Sequence, residues 1–142
     1  NGSNCLKLEG SEAIITHAAQ CTGAANEQWI LDARGSIRST ANLGLCLTDQ
    51  GGSNRVKPVT CDMRNDNQVW DTSTPNKINR GTRCFDLNTG SLDANGRGTL
   101  ITYGCTNGGN QRWAGLVPSN NLLLTLVSAD NIGYLAKLPA TP

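Results

Sequence analysis

The 142-residue sequence is poor in the residues from which active sites and membrane spans are usually built. It has one histidine, His17, one phenylalanine, one methionine and six aromatic residues in all, and only 16% of it is charged. A lone histidine leaves no Ser-His-Asp or Cys-His set, and no GxSxG, HExxH or phosphate-loop motif occurs. No enzyme activity, cofactor or metal is therefore expected, and His17 reads as a surface or internally satisfied side chain. Twelve basic residues against eleven acidic ones leave a net charge of +1, so no overall field favours nucleic-acid phosphates or anionic lipid. No apolar run approaches the roughly 20 residues that span a bilayer. The longest, around Leu122 to Val127, is interrupted by Thr125. A soluble chain without nucleic-acid partners or direct membrane insertion is expected.

What the sequence does have is glycine, cysteine and repetition. Sixteen glycines with 37% hydrophobic residues describe a folded, loop-rich domain rather than a disordered tail. The six cysteines are even in number and none lies in a CxxC pair, so disulfides are a better reading than zinc or a redox centre. That implies an oxidising compartment and a secreted or extracellular protein. The chain begins without a signal peptide or initiating methionine, as a mature chain or an excised piece of a longer precursor would. Spacing alone leaves fifteen possible pairings.

Self-similarity narrows them. Asn26-Glu27-Gln28-Trp29, Asn67-Gln68-Val69-Trp70 and Asn110-Gln111-Arg112-Trp113 place the three tryptophans 41 and 43 residues apart. Each follows two cysteines, so every copy reads Cys, spacer, Cys, short loop, Asn-x-x-Trp. Equivalent units should close equivalent loops: Cys5 with Cys21, Cys46 with Cys61, and Cys84 with Cys105. On the chain-entropy model each loop stabilises the fold by roughly 3 kcal/mol. Segments such as Cys5-Leu6-Lys7-Leu8, Ala13-Ile14-Ile15-Thr16, Gln28-Trp29-Ile30-Leu31 and Ser36-Ile37-Arg38-Ser39 alternate or cluster apolar residues between turn residues. No segment reads as a long helix. About four strands per unit and three units make a propeller too small, since propellers use four or more blades. An all-β architecture of three pseudo-repeats closing a barrel, a β-trefoil, fits better. The expected organisation is one domain over 1–142, with repeats of about 1–41, 42–82 and 83–126. A last strand near Leu122 to Leu126 should lie beside the first, followed by a tail, 127–142, without counterpart in the other units.

These residues resemble the ricin B-type lectins, whose repeats carry a Q-x-W signature and an internal disulfide. The likeness runs over roughly residues 4 to 126. Gln68-Val69-Trp70 and Gln111-Arg112-Trp113 match outright, and the first copy departs with Glu27 in the Gln position. The resemblance implies that Trp29, Trp70 and Trp113 are core residues. It also implies a sugar site built from three elements. A carboxylate two residues after the first cysteine accepts charge-assisted hydrogen bonds from neighbouring hydroxyls. A ring two residues before the second cysteine covers the apolar face of a pyranose, and the Asn of N-Q-x-W offers its amide while the following Gln holds the loop.

The three copies differ sharply in these positions. The first has Lys7 and Ala19 where acid and ring belong, with Asn26 kept. The second has Thr48 and Val59, with Asn67 and Gln68 kept; Asp49 falls one residue late and would point to the other face of a strand. The third has Asp86, Tyr103, Asn110 and Gln111 together. These four are the expected carbohydrate-binding residues, and the interval from Tyr103 to Asn110 agrees with relatives that bind galactose or N-acetylgalactosamine.

Each has a plainer role to set beside this one. Asp86 could cap the turn through Asn88, Thr89 and Gly90, Tyr103 could be a half-buried strand residue, Asn110 could be structural as Asn26 and Asn67 must be, and Ile101 could belong to the core. Asp93, the other acid that might pair with Asp86 in a glycosidase, lies in the polar stretch Ser91 to Gly98, which reads as a turn.

The resemblance thus implies a carbohydrate-binding lectin domain. Its expected ligands are terminal galactose or N-acetylgalactosamine on glycoproteins or glycolipids, bound through the third repeat. As a cell-surface targeting module it would serve a larger secreted protein such as a toxin or haemolysin, multimeric through that parent. The alternatives are a carbohydrate-binding module of a secreted glycosidase and a protein-binding or inhibitory trefoil.

Overall fold

The computed structural model describes residues 4–16, 21–91 and 97–118. Its regular structure is all β apart from single 3-10 turns. The strands are β1 (Cys5–Glu9), β2 (Glu12–Thr16), β3 (Trp29–Leu31), β4 (Ile37–Ser39), β5 (Asn42–Asp49), β6 (Val56–Thr60), β7 (Asn79–Arg80), β8 (Arg83–Leu87), β9 (Gly98–Gly104) and β10 (Val117–Pro118). They form two five-stranded sheets, ordered β1-β2-β9-β8-β7 and β10-β3-β4-β5-β6. The first sheet joins strands from all three repeats, with β2 of the first beside β9 of the third and β7 from the end of the second beside β8. The expected strands at 5–8, 13–16, 28–31 and 36–39 are all present, shifted by one residue at most. The expected last strand near Leu122 to Leu126, the tail 127–142, Asp93, His17 and Ala19 lie outside the described residues.

The three disulfides pair as the repeat requires: Cys5–Cys21, Cys46–Cys61 and Cys84–Cys105, with Cα separations of 5.9, 5.0 and 5.2 Å. Along β9 the alternation is clear, whereas in β8 every residue from Cys84 to Leu87 is buried. Phe85, Leu87, Leu100 and Thr102 are buried, while Tyr103 is exposed. A period of two sends alternate side chains to opposite faces. The inward set joins Leu8, Ala13, Ile15, Ile37, Leu47, Val56, Trp70 and Ile78 in one core that draws on every repeat.

The tryptophans tie strand to loop in the same way three times. The Trp29 indole Nε1 donates to Leu6 O at 2.9 Å, Trp70 to Leu47 O at 2.9 Å, and Trp113 to Phe85 O at 3.0 Å. Each acceptor is the residue that follows the first cysteine of its own repeat. An indole can be buried at low cost only if its N–H finds an acceptor, and here each ring also fills core volume. Phe85 sits between two of them, edge-on to Trp70 at 4.5 Å and to Trp113 at 6.2 Å between ring centroids.

Backbone bonds of the same tryptophans connect one repeat to the next. Trp70 N donates to Gly35 O at 2.9 Å and Trp113 N to Asn76 O at 3.0 Å. Both acceptors turn in the left-handed region, Gly35 at φ 102° and Asn76 at φ 63°. At Gly35 the approach is so close that a Cβ would stand 2.8 Å from Trp70 O, which only glycine avoids.

Because Trp70 is 3% exposed and its indole N–H is the donor to Leu47 O, Trp70→Phe should leave a buried carbonyl unpaired. Urea unfolding should show a loss of about 1–3 kcal/mol. Trp113→Phe, at the partly exposed third position, should cost less.

Candidate functional site

In the third repeat β8 and β9 run antiparallel with Cys84 opposite Tyr103 and Asp86 opposite Ile101. Strand periodicity therefore sends Cys84, Asp86, Ile101 and Tyr103 to one face. On that face Asp86 forms a floor at 4% exposure and Tyr103 stands up beside it at 56%. Side chains that are diagonal neighbours across a strand pair, as Asp86 and Tyr103 are, lie about 7–8 Å apart at Cα. The disulfide Cys84–Cys105 closes the end of the hairpin.

The loop after Cys105 brings two amides onto the acid. Asn110 Nδ2 donates to Asp86 Oδ1 at 3.0 Å, and Gln111 Nε2 donates to Asp86 Oδ2 at 2.8 Å. Asn110 Nδ2 also reaches Leu87 O at 3.3 Å, and Gln111 Nε2 reaches Gly104 O at 3.0 Å. The Gln111 carbonyl oxygen in turn accepts from Thr106 N at 2.8 Å. Gln111 thus ties both strands and the loop to one carboxylate. Gly108 has a role here, because a Cβ at that position would lie 3.0 Å from Asn110 Oδ1 and 3.2 Å from Thr106 Oγ1.

All four expected residues are therefore brought together. The alternative for Asp86 as a turn cap is not what is seen, since Asn88 Oδ1 accepts from Gly90 N at 3.1 Å and makes that turn itself. Tyr103 is exposed rather than half-buried, and Ile101 is only partly buried. Asn110 combines both readings, holding the acid and bonding the backbone.

Burial pushes the Asp86 carboxyl above its ordinary value of 3.8, and the bonds from Gln111 and Asn110 only partly oppose this. Each carboxylate oxygen accepts one amide proton. An ionised carboxylate has about four lone-pair positions, so acceptor capacity remains for two further donors.

The other two repeats keep the frame without the acid and ring. In the second, Gln68 Nε2 donates to Thr48 Oγ1 at 3.1 Å and to Thr60 O at 3.0 Å, and Gln68 Oε1 accepts from Asp62 N at 2.9 Å. Asp49 points away, as its position predicted, and pairs with Arg80 at 3.3 Å. Val59 stands opposite Cys46 as Tyr103 stands opposite Cys84. In the first, Asn26 Nδ2 donates to Leu8 O at 3.3 Å, just as Asn110 does to Leu87 O. Glu27, which lacks the amide N–H of a glutamine, accepts from Thr22 N at 2.8 Å and Gly23 N at 2.7 Å.

Sequence reasoning missed the threonine turn that shapes the loop. Thr106 Oγ1 accepts from Gly108 N at 3.2 Å, and Thr22 Oγ1 accepts from Ala24 N at 3.2 Å. The signal was the recurrence of threonine directly after the second cysteine.

Two expectations follow. The folded state holds the Asp86 proton more tightly than the unfolded chain, so this group's contribution to stability grows as pH falls through its raised midpoint and declines above it. Carboxyl-detected NMR should place the Asp86 midpoint above 3.8. Gln111→Glu removes a donor and sets a second carboxylate against Asp86, so the same titration should move further up and the chain should lose stability at neutral pH.

Comparison with known proteins accords with this geometry. The family model for the ricin-type beta-trefoil lectin domain matches residues 1–113. No curated protein sequence matches the chain. Among solved structures, the C-half of an earthworm R-type lectin in complex with GalNAc is 21% identical at a TM-score of 0.60, over 77% of this chain and 86% of that one. The agglutinin from Abrus precatorius is 21% identical at 0.63, over 80% of this chain and 43% of the agglutinin, so the chain spans less than half of that protein. The β-trefoil lectin of the Vibrio vulnificus hemolysin/cytolysin, solved with N-acetyl-D-lactosamine bound, is 20% identical at 0.58, over 84% and 89%. At such identities these likenesses establish the fold, and with the family match they show that the chain belongs to the ricin-type β-trefoil lectin domains, a family of carbohydrate-binding modules.

Proposed function

We propose that the third repeat binds a terminal galactose or N-acetylgalactosamine without altering it covalently. Asp86 accepts hydrogen bonds from adjacent hydroxyls, Tyr103 covers the apolar face of the ring, Asn110 offers its amide, and Gln111 holds the acid and loop in place. The observation that carries this reading is the convergence of a buried, amide-braced carboxylate and an exposed ring on one face of β8 and β9, in that repeat alone among the three. The sugars named with the earthworm and Vibrio structures are of the same galactose type, which supports the choice of ligand.

On this reading residues 1–142 act as one domain, secreted or extracellular as its three disulfides favour. Each exchanged hydroxyl gains only about 1 kcal/mol, so a single shallow site should bind at about millimolar strength, roughly 4 kcal/mol. Useful adhesion then needs several copies, whose linkage raises apparent affinity by roughly 10² to 10⁴. The domain is a glycan-targeting module of a larger protein, and the Vibrio hemolysin/cytolysin, which carries such a lectin, favours a toxin or haemolysin as that parent.

Titration with lactose or N-acetylgalactosamine by calorimetry or NMR tests the reading. Saturable binding is expected, with Asp86→Ala reducing it at least about tenfold while circular dichroism and melting show a folded chain. Tyr103→Ala should weaken binding and Tyr103→Phe should largely retain it, because the ring face and not the hydroxyl makes the contact. No response across a broad glycan panel would overturn the reading and leave a protein-binding trefoil, with Tyr103 as an interface anchor.

A further inference from the structure

Beside the third-repeat site runs a second, unassigned groove of about 260 Å³, between the 74–77 segment and the loop that carries Asn110 and Gln111. Its walls include Asn76, Lys77, Asn107 and Arg112, and it borders Cys84 and Gln111. Those last two locate it. Cys84 stands directly opposite Tyr103 in the strand register, and Gln111 is bonded to Asp86, so the groove adjoins the face on which the sugar is proposed to sit.

The groove's electrostatics are one-sided. Lys77 and Arg112 both line it and no acidic residue does. Among the described residues neither enters an ion pair, in contrast to Arg38, Arg55 and Arg80. Lys77 acts electrostatically on Asp71, but that carboxylate is turned to Ser73, whose hydroxyl donates to it at 2.6 Å and whose backbone N–H donates at 2.9 Å. Asn76 and Asn107 stand at left-handed turns, φ 63° and 64°, which add polar side chains to the rim. With a net charge of only +1 the chain as a whole has little attraction for anions, so two unpaired cations in one groove are a local feature.

We propose that this groove is an anion subsite, in which Lys77 and Arg112 receive a sulfate ester or a sialyl carboxylate carried by a glycan whose neutral sugar lies over Asp86. The inference rests on the Asp86 reading and extends it, making Lys77 and Arg112 determinants of specificity toward acidic glycans. A guanidinium offers paired donors to an oxyanion, while the lysine ammonium contributes a point charge.

The test compares lactose, lactose sulfated on galactose O3 or O6, and α2,3- and α2,6-sialyllactose, titrated into the whole chain and into K77Q/R112Q. An acidic ligand should bind about three- to tenfold tighter than lactose at low salt, with the advantage fading as ionic strength rises. It should disappear in K77Q/R112Q while lactose affinity stays as it was. Arg64→Gln, which removes a cation outside the groove, should leave the advantage intact. Preference for the sulfated or the sialylated compounds identifies which anion the groove takes. Lactose binding without gain for any acidic ligand, or a gain that survives K77Q/R112Q, overturns the subsite and leaves the Asp86 reading standing. Absence of binding by every compound overturns both.

Discussion

The hydrogen bond from each tryptophan indole to the carbonyl just after its repeat's first cysteine is the constraint from which the rest follows. It fixes where the loop after each second cysteine meets its repeat's own opening strand, with a donor that would be costly to bury unpaired. The disulfide of each repeat begins one residue away from that acceptor, so covalent and hydrogen-bonded closure act at the same place. The backbone of Trp70 and of Trp113 then reaches into the left-handed turn of the preceding repeat, so each closed unit is also docked on its neighbour.

Within that frame the Gln of the Q-x-W run connects fold to chemistry. In the second and third repeats it makes the same three bonds: to the backbone N–H after the second cysteine, to the carbonyl before it, and to whatever side chain sits two residues after the first. With threonine there the result is a neutral, buried hydrogen bond. With Asp86 it is a carboxylate braced on both oxygens, desolvated enough to raise its proton affinity yet with lone pairs left over. The difference between a structural strut and a candidate sugar cradle is two side chains, the acid and the ring, in an otherwise common setting.

Much of this was legible in the sequence because it was written three times. Period and disulfide partners follow from aligning the copies, while the buried tryptophans and the acid and ring positions that single out Asp86 and Tyr103 were implied by the resemblance to the ricin B-type lectins. Their shared face needed the register between β8 and β9, which the structure supplies. What could not be read were contacts that have no period. The bond from Gln111 to Asp86 requires a loop to fold back across 25 residues, and the threonine turn that permits it is a local hydrogen bond with no hydrophobic signature. The groove at Lys77 and Arg112 is built from two segments remote in sequence, each unremarkable alone.

Gln68 already directs its amide at Thr48 as Gln111 directs its own at Asp86, and Val59 already occupies the place opposite its cysteine that Tyr103 occupies. The disulfides and the indole bonds involve neither position, and the Gln amide depends on the first of them. In evolutionary terms the molecule is a chassis with separable sockets: recognition can be gained, lost or moved between lobes by substituting an exposed ring position, under weak selection from stability, and a buried acceptor position that must keep a partner for the Gln amide. Drift in ligand preference should then outpace drift in architecture, as expected where solved relatives only one-fifth identical still share the fold.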